Sequence, residues 1–109
     1  MRLSKNQILA ILKAKELLFP NSKIYLFGSR IDDSRTGGDI DLYILSENRV
    51  LNGVKKRIDF LIFLKSLIGD QKIDVVLADN SQNRLIDQIV KKEGILMESG
   101  NICLYQNKK

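Results

Sequence analysis

The sequence predicts an α+β domain with a small mixed β-sheet and helices packed on one face of it. Three segments show apolar residues at helical spacing, and short β-rich runs lie between them. The resulting order is helix, strand, strand, helix, strand, helix and tail. No repeat, linker or low-complexity segment interrupts it. We therefore expect residues 1–109 to form a single domain, with a core at about 4–97 and a C-terminal tail at 98–109.

The first half of the chain is predicted to contain one helix and two strands. Residues 4–20 are amphipathic, and Ser4 and Gln7 have the spacing of a capping box. The helix should end before Pro20, because the residue before a proline avoids the helical region. Strands are predicted at 22–27 and 39–45. The long polar segment "GSRIDDSRTGG" joins them, and ordered loops of this length in small domains tend to be functional.

The second half is predicted to contain two helices, a strand and a C-terminal tail with two alternative conformations. The helix over 48–69 is predicted to end at Gly69, and the strand covers 72–78. The last helix covers 80–94. The expected buried side chains of these helices are Leu51, Val54, Ile58, Leu61 and Ile68, then Leu85, Ile86, Ile89 and Val90. The tail either forms a hairpin, from 95–97 and 102–105, or packs as an irregular strap.

Composition excludes several kinds of chemistry. The chain has one cysteine, Cys103, and no histidine, which excludes an intramolecular disulfide, a Ser-His-Asp triad and a His-ligated zinc site. Acid–base work must fall to Asp, Glu, Lys or Tyr. The net charge of +5 and the pI of about 9.4 favour anionic ligands, but only weakly. No signal peptide or membrane-spanning run is apparent, so a cytoplasmic location is expected.

Two aspartates interrupt the apolar strand "DIDLYIL". Residues two apart on a strand point to the same face, so Asp39 and Asp41 should project side by side. The opposite, buried face should carry Ile40, Leu42 and Ile44. A solvated strand face has the same alternation, and the spacing alone does not distinguish it from a Mg²⁺ site built from carboxylate oxygens. Asp74 interrupts the strand "KIDVVLA" in the same way. If the two strands are neighbours, three carboxylates can hold two metal ions for a phosphoryl or nucleotidyl displacement.

A Gly-Ser pair follows the first strand. Gly28 would let backbone N–H groups approach a phosphate, and the hydroxyl of Ser29 could donate to it. Arg30 could pair with a triphosphate oxygen. Each feature is weak alone, because a Gly-Ser turn after a strand is common and Arg30 could be an ordinary solvated arginine.

Together, "LFGSR", "DIDLYI" and "KIDVVL" resemble the signature of the polymerase-β-like nucleotidyltransferase superfamily, and above all its minimal, MNT-type (MntA-like) members. The resemblance covers about residues 4–97 and implies the palm-like nucleotidyltransferase fold. It also implies roles. Asp39, Asp41 and Asp74 would be the catalytic and Mg²⁺-binding carboxylates, while Gly28, Ser29 and Arg30 would bind the phosphates of ATP.

The same resemblance implies a substrate and a partner. AMP would pass from ATP to a hydroxyl, with release of pyrophosphate and with two Mg²⁺ ions as cofactors. MNT-type members resemble the antitoxins of two-gene HEPN–MNT modules, in which AMP is added to a tyrosine of a HEPN ribonuclease toxin. Such positioning and charge neutralisation need no histidine.

Three alternatives to that function remain at this stage. The domain could be a non-catalytic binding module that masks its partner, although its carboxylates and Gly-Ser are intact. It could be a small-molecule nucleotidyltransferase, although such enzymes generally carry a substrate domain. Direct nucleic-acid binding is disfavoured, because the basic residues do not cluster with aromatics.

Overall fold

The computed structural model describes residues 3–28 and 40–98. Within them the elements are α1 Lys5–Leu18, β1 Ser22–Phe27, β2 Ile40–Ser46, α2 Gly53–Ile68, β3 Ile73–Asp79, α3 Leu85–Glu93 and β4 Ile95–Met97. They follow the predicted order. In the described part of the chain, no helix is long and apolar enough to cross a membrane.

The four strands form one mixed sheet in the order β3-β2-β1-β4. Strand β1 pairs antiparallel with β2 and with β4, whereas β2 and β3 are parallel. The parallel pair requires a crossover, which α2 provides. The mixed sheet is therefore as predicted. Of the proposed hairpin in the tail, 95–97 does form a strand, but its partner is β1, and 102–105 lies outside the described residues.

Helices lie on both faces of the sheet. Side chains of α1 and α2 pack with Ile24, Leu42 and Ile44 in the main core. Helix α3 packs on the opposite face, where Val90 joins Tyr43 in a second, smaller cluster. The expectation that all helices share one face thus holds for α1 and α2 only. The side chains of β2 explain the difference, since its second face is also partly apolar and needs a cover.

Local signals account for the helix ends. The Ser4 hydroxyl accepts from the Gln7 N–H at 3.1 Å, and the Gln7 side chain accepts from the Ser4 N–H at 2.9 Å, so the predicted capping box is present. Gly69 follows α2 with φ +92°, as expected for a glycine at a helix end. Helix α2 begins at Gly53 rather than near 48, after Asn52 in the left-handed conformation (φ +57°).

The buried face of α2 matches the prediction only in part: Leu61 and Ile68 are half-buried against the main core, as predicted. Phe60 and Leu64 are fully buried, whereas Leu51, Val54 and Ile58 are 81%, 71% and 46% exposed. The helix carries two apolar stripes at helical spacing, and only one of them contacts the sheet. Similarly, α3 buries Val90 but leaves Leu85 and Ile89 exposed.

Candidate active site

The described residues include three of the six predicted site positions: Gly28, Asp41 and Asp74. Gly28 follows the last residue of β1, Asp41 is the second residue of β2, and Asp74 is the second residue of β3. Ser29, Arg30 and Asp39 lie outside the described residues. Gly28, Asp41 and Asp74 therefore define the described part of the site.

Asp41 and Asp74 lie side by side on neighbouring strands. They are register partners in the parallel β2–β3 pair, and neighbouring strands lie about 4.8 Å apart. Register partners project to the same face of a sheet. Asp41 is half-buried and Asp74 is exposed. The sequence predicted this adjacency only if the two strands are neighbours, and the structure meets that condition.

Gly28 contacts Asp41 directly. Phe27 is the register partner of Asp41 in β1, so the next residue lies beside the aspartate. A Cβ added to Gly28 would collide with Asp41 Oδ2 and would lie 3.1 Å from its Cγ. Gly28 also has φ +81°, a conformation that other residues rarely adopt. Glycine is required here both by the backbone conformation and by the close approach to the carboxylate.

Asp41 lies on the face of β2 that is turned away from the main core. Ile40, Leu42 and Ile44 alternate with the residues of this face and are completely buried on the α1–α2 side, as predicted. Tyr43, two residues beyond Asp41, therefore shares the face of the aspartates. Its ring packs edge-on against Tyr25, with centroids 6.0 Å apart.

A hydrogen-bond network holds α3 against this face. The Tyr43 hydroxyl donates to Asp87 Oδ1 at 2.7 Å. The Arg84 guanidinium donates to both oxygens of Asp87, at 2.9 and 3.1 Å, and to the Leu77 carbonyl at 3.2 Å. The Arg84 N–H donates to Asp87 Oδ2 at 2.7 Å. The network thereby joins α3 to both β2 and β3, the two strands that carry Asp41 and Asp74.

The network sets the ionisation of its members. The hydrogen bond from Arg84, helped by the one from Tyr43, lowers the pKa of Asp87 to about 2. Burial raises the pKa of Tyr43, and its hydrogen bond to Asp87 raises it further. At neutral pH the network therefore holds a carboxylate, a guanidinium and a neutral phenol. Tyr43 thus acts as a donor that orients the carboxylate rather than as a base.

The residues present fit a divalent cation at this edge of the sheet. Carboxylate oxygens are the ligands that Mg²⁺ prefers, and Asp41 and Asp74 supply them from adjacent strands. The missing side chain of Gly28 leaves room for the Asp41 carboxylate to lie against the backbone. Residues 3–28 and 40–98 contain no group of three potential ligands, and the third predicted carboxylate, Asp39, lies outside those residues.

The sequence did not predict the Tyr43–Asp87–Arg84 network. A signal was nevertheless present. An aspartate in the first turn of a helix accepts from the backbone N–H groups there, and Asp87 occupies that place in α3. The link to Tyr43 could not be read from the sequence, because it depends on α3 covering the second face of the sheet.

Comparison with known families gives one match over most of the chain. The family model described as "Polymerase beta, Nucleotidyltransferase" matches residues 6–101. That range includes all six predicted site positions. No curated protein sequence matches the chain significantly.

Solved structures with this architecture include toxin–antitoxin proteins. A toxin–antitoxin with AMP-PNP is 26% identical, with a TM-score of 0.65, and the match covers 97% of this chain and 83% of the other. A toxin–antitoxin MntA–HpeT mutant is 25% identical, with a TM-score of 0.64 and the same coverage. A tri-AMPylated Shewanella oneidensis HEPN toxin in complex with MNT antitoxin is 24% identical, with a TM-score of 0.61, and covers 93% and 85%. This last likeness shows the shared fold.

Proposed function

We infer the function of this protein from one premise: the chain belongs to the polymerase beta nucleotidyltransferase family. We propose that it transfers AMP from ATP to a tyrosine hydroxyl of a HEPN-type ribonuclease toxin, and that it acts as the antitoxin of that toxin. The observation that carries the proposal is the Gly28 backbone lying against the Asp41 carboxylate, which is in register with Asp74.

In this proposal each site residue has a task. The backbone of Gly28 and the hydroxyl of Ser29 bind phosphate oxygens of ATP, and Arg30 neutralises their charge. Asp39, Asp41 and Asp74 would hold Mg²⁺, which when bound would supply charge neutralisation for the triphosphate and for the departing pyrophosphate. Asp74, which is exposed whereas Asp41 is half-buried, would accept the proton of the incoming hydroxyl.

The transfer balances without any further reactant. The acceptor oxygen forms a bond to the α-phosphorus of ATP, and the bond from that phosphorus to the oxygen that bridges to the β-phosphate breaks. Pyrophosphate leaves, and the hydroxyl proton passes to the carboxylate. Positioning and charge neutralisation supply most of the rate in such transfers, which suits a chain without histidine.

The partner is proposed from similarity to toxin–antitoxin proteins, two of which are at least 25% identical to this chain. The AMP-PNP in one of them supports ATP as the nucleotide.

The test is to incubate the purified chain with its HEPN-type partner, labelled ATP and Mg²⁺, and to measure label on the partner. We expect transfer that a chelator abolishes and that Asp41→Asn reduces at least about a hundredfold, with partner binding retained. Glu16→Gln, which removes the charge of an exposed carboxylate on α1, is the matched control and should leave transfer unchanged.

The same variants separate catalysis from masking. If Asp41→Asn still binds and fully silences the partner, the chain acts by covering it and the transfer proposal is wrong. If no label reaches the partner despite a stable complex with the wild-type chain, AMP transfer is also wrong.

A further inference from the structure

Strand β3 forms an outer edge of the described sheet, and the direction of its backbone groups can be assigned. The Ile40 N–H donates to the Lys72 carbonyl at 3.1 Å, so the backbone at position 72 faces β2. Backbone groups alternate sides along a strand. Even-numbered positions of β3 therefore face β2, whereas Ile73, Val75, Leu77 and Asp79 direct their N–H and C=O groups outward.

Side chains already use two of these outward groups. The Leu77 carbonyl accepts from Arg84 at 3.2 Å, and the Asp79 N–H donates to Gln82 Oε1 at 3.0 Å. These contacts agree with the assignment. Over residues 3–28 and 40–98, the N–H groups of Val75 and Leu77 have no partner beyond this edge.

An open groove of about 500 Å³ runs along this edge. Its floor is β3, and its walls are the start of α2 and the segment before α3. We call it the β3-edge groove, and define it by the residues Arg49, Val50, Gly53, Val54, Arg57, Val75, Val76, Leu77, Ala78, Asp79, Gln82 and Arg84. It is separate from Gly28 and Asp41, which do not line it.

The groove is cationic with an apolar wall. Three arginines line it against one aspartate, Asp79. Hydrogen bonds from Ser81 hold that aspartate and lower its pKa, with a smaller contribution from Arg49. Arg84 is paired with Asp87, whereas Arg57 has no ion pair within the described part of the chain. Val54 is 71% exposed beside it.

We propose that the β3-edge groove binds an extended, acidic segment of a partner protein, which adds to the sheet as a further strand. The Val75 and Leu77 N–H groups would donate to the segment's carbonyls, and Arg49 and Arg57 would pair with its carboxylates. Edge strands recruit peptides in this way, with backbone bonds for affinity and alternate side chains for specificity. The surface is independent of nucleotidyl transfer.

The observations favour a peptide over other occupants. A second copy of this chain is disfavoured because each copy carries a net charge of +5. A nucleic acid would leave the apolar wall of Val50 and Val54 without a matching surface, and Asp79 would repel its phosphates.

The test uses a synthetic peptide of alternating glutamate and valine with the full 109-residue chain. Binding is measured by fluorescence anisotropy and mapped by amide chemical shifts. We expect saturable binding that shifts the Val75 and Leu77 amides. A peptide with N-methylated alternate amides keeps the side chains but lacks backbone pairing, and should bind at least about tenfold more weakly. Failure of the unmodified peptide to bind at millimolar concentration would overturn the proposal.

Variants of the groove supply the second arm. Arg49→Gln with Arg57→Gln should weaken binding about tenfold or more without changing AMP transfer. The control is Lys55→Gln with Lys56→Gln, which removes the same charge from exposed positions outside the groove and should leave binding within about twofold. Equal losses in the two pairs, equal binding of the N-methylated peptide, or tighter binding of an RNA oligonucleotide at the same amides would each contradict the proposal.

Discussion

The two faces of the sheet differ in their side chains and in how far helices cover them. The face under α1 and α2 is closed, and Ile24, Leu26, Ile40, Leu42 and Ile44 are completely buried there. The other face carries Asp41 and Asp74 at one end, with α3 at the other. In the described part of the chain, the nine-residue helix α3 covers this second face, and a polar network holds the helix there.

This difference shows how a small domain can hold charged groups without a large loss of stability. Apolar burial on one face provides the free energy of folding. The carboxylates on the other face lie at the end away from α3, where water can hydrate them or cations can neutralise their charge. Strand β2 belongs to both faces, so substitutions of adjacent residues on it should have opposite consequences.

The largest effects are expected from adjacent residues of β2. Leu42→Ala should lower the free energy of unfolding by about 2–5 kcal/mol, because it leaves a cavity in the core. The transfer rate per folded molecule should stay close to wild type. Asp41→Asn should do the reverse, with stability retained and transfer lost. Chemical denaturation and labelled-ATP transfer on both variants measure this, and a parallel loss of both properties in both variants would contradict the separation of the faces.

Gly28→Ala should have the next largest effect. Any side chain at φ +81° is strained by about 1–2 kcal/mol, and here the methyl group would also displace the Asp41 carboxylate. We expect transfer to fall at least about tenfold. The matched control is Gly69→Ala, which has a similar φ of +92° but no atom within 4 Å of the added Cβ. If both alanine variants lose only stability, and equally, the contact with Asp41 has no functional role.

A smaller effect is expected from Tyr43→Phe, which removes the hydroxyl that donates to Asp87. The loss should be about 1 kcal/mol in the free energy of unfolding. Because α3 loses one of its contacts with the sheet, substitution should speed the exchange of α3 amides with solvent more than that of α1 amides. Tyr25→Phe is the control, since it removes a hydroxyl from the same face. Equal effects of the two variants would mean that the Asp87 contact adds nothing to stability.

The smallest effect concerns pH. The pKa of Asp87 in the folded protein is about 2, below its ordinary value of 3.8, so the folded state favours the ionised carboxylate. That contribution is complete above about pH 4 and is lost as the pH falls toward 2. Thermal unfolding of wild type and Asp87→Asn should therefore differ most above pH 4 and converge near pH 2. A difference that is constant over this range would exclude the linkage.

The sequence predicted the strands and several helix ends correctly, because their signals are local. The capping box at Ser4, the strand at 22–27 and the glycine after α2 each depend on a few neighbouring residues. Alternation along β2 also placed Ile40, Leu42 and Ile44 in the core. The side-by-side placement of Asp41 and Asp74 needed one further condition, that their strands are neighbours, which the structure meets. Their role in metal binding stays a prediction.

Helix orientation was less predictable because it depends on contacts between distant segments. Helix α2 has two apolar stripes, and periodicity alone could not select the one with Phe60 and Leu64 over the one with Val54 and Ile58. The placement of α3 on the second face was missed for the same reason. The start of α3 was predicted too early because Asp79, Ser81 and Gln82 make turn contacts before the helix begins.

The pairing of Asp41 with Asp74 joins residues that are 33 positions apart in the chain (74 minus 41). Contacts of such separation form late, because loop closure must precede them. A growing polypeptide on the ribosome presents β2 well before β3 has been synthesised, and until then it has only part of the carboxylate set. The two aspartates thus come together only in a chain whose crossover from β2 through α2 to β3 is complete.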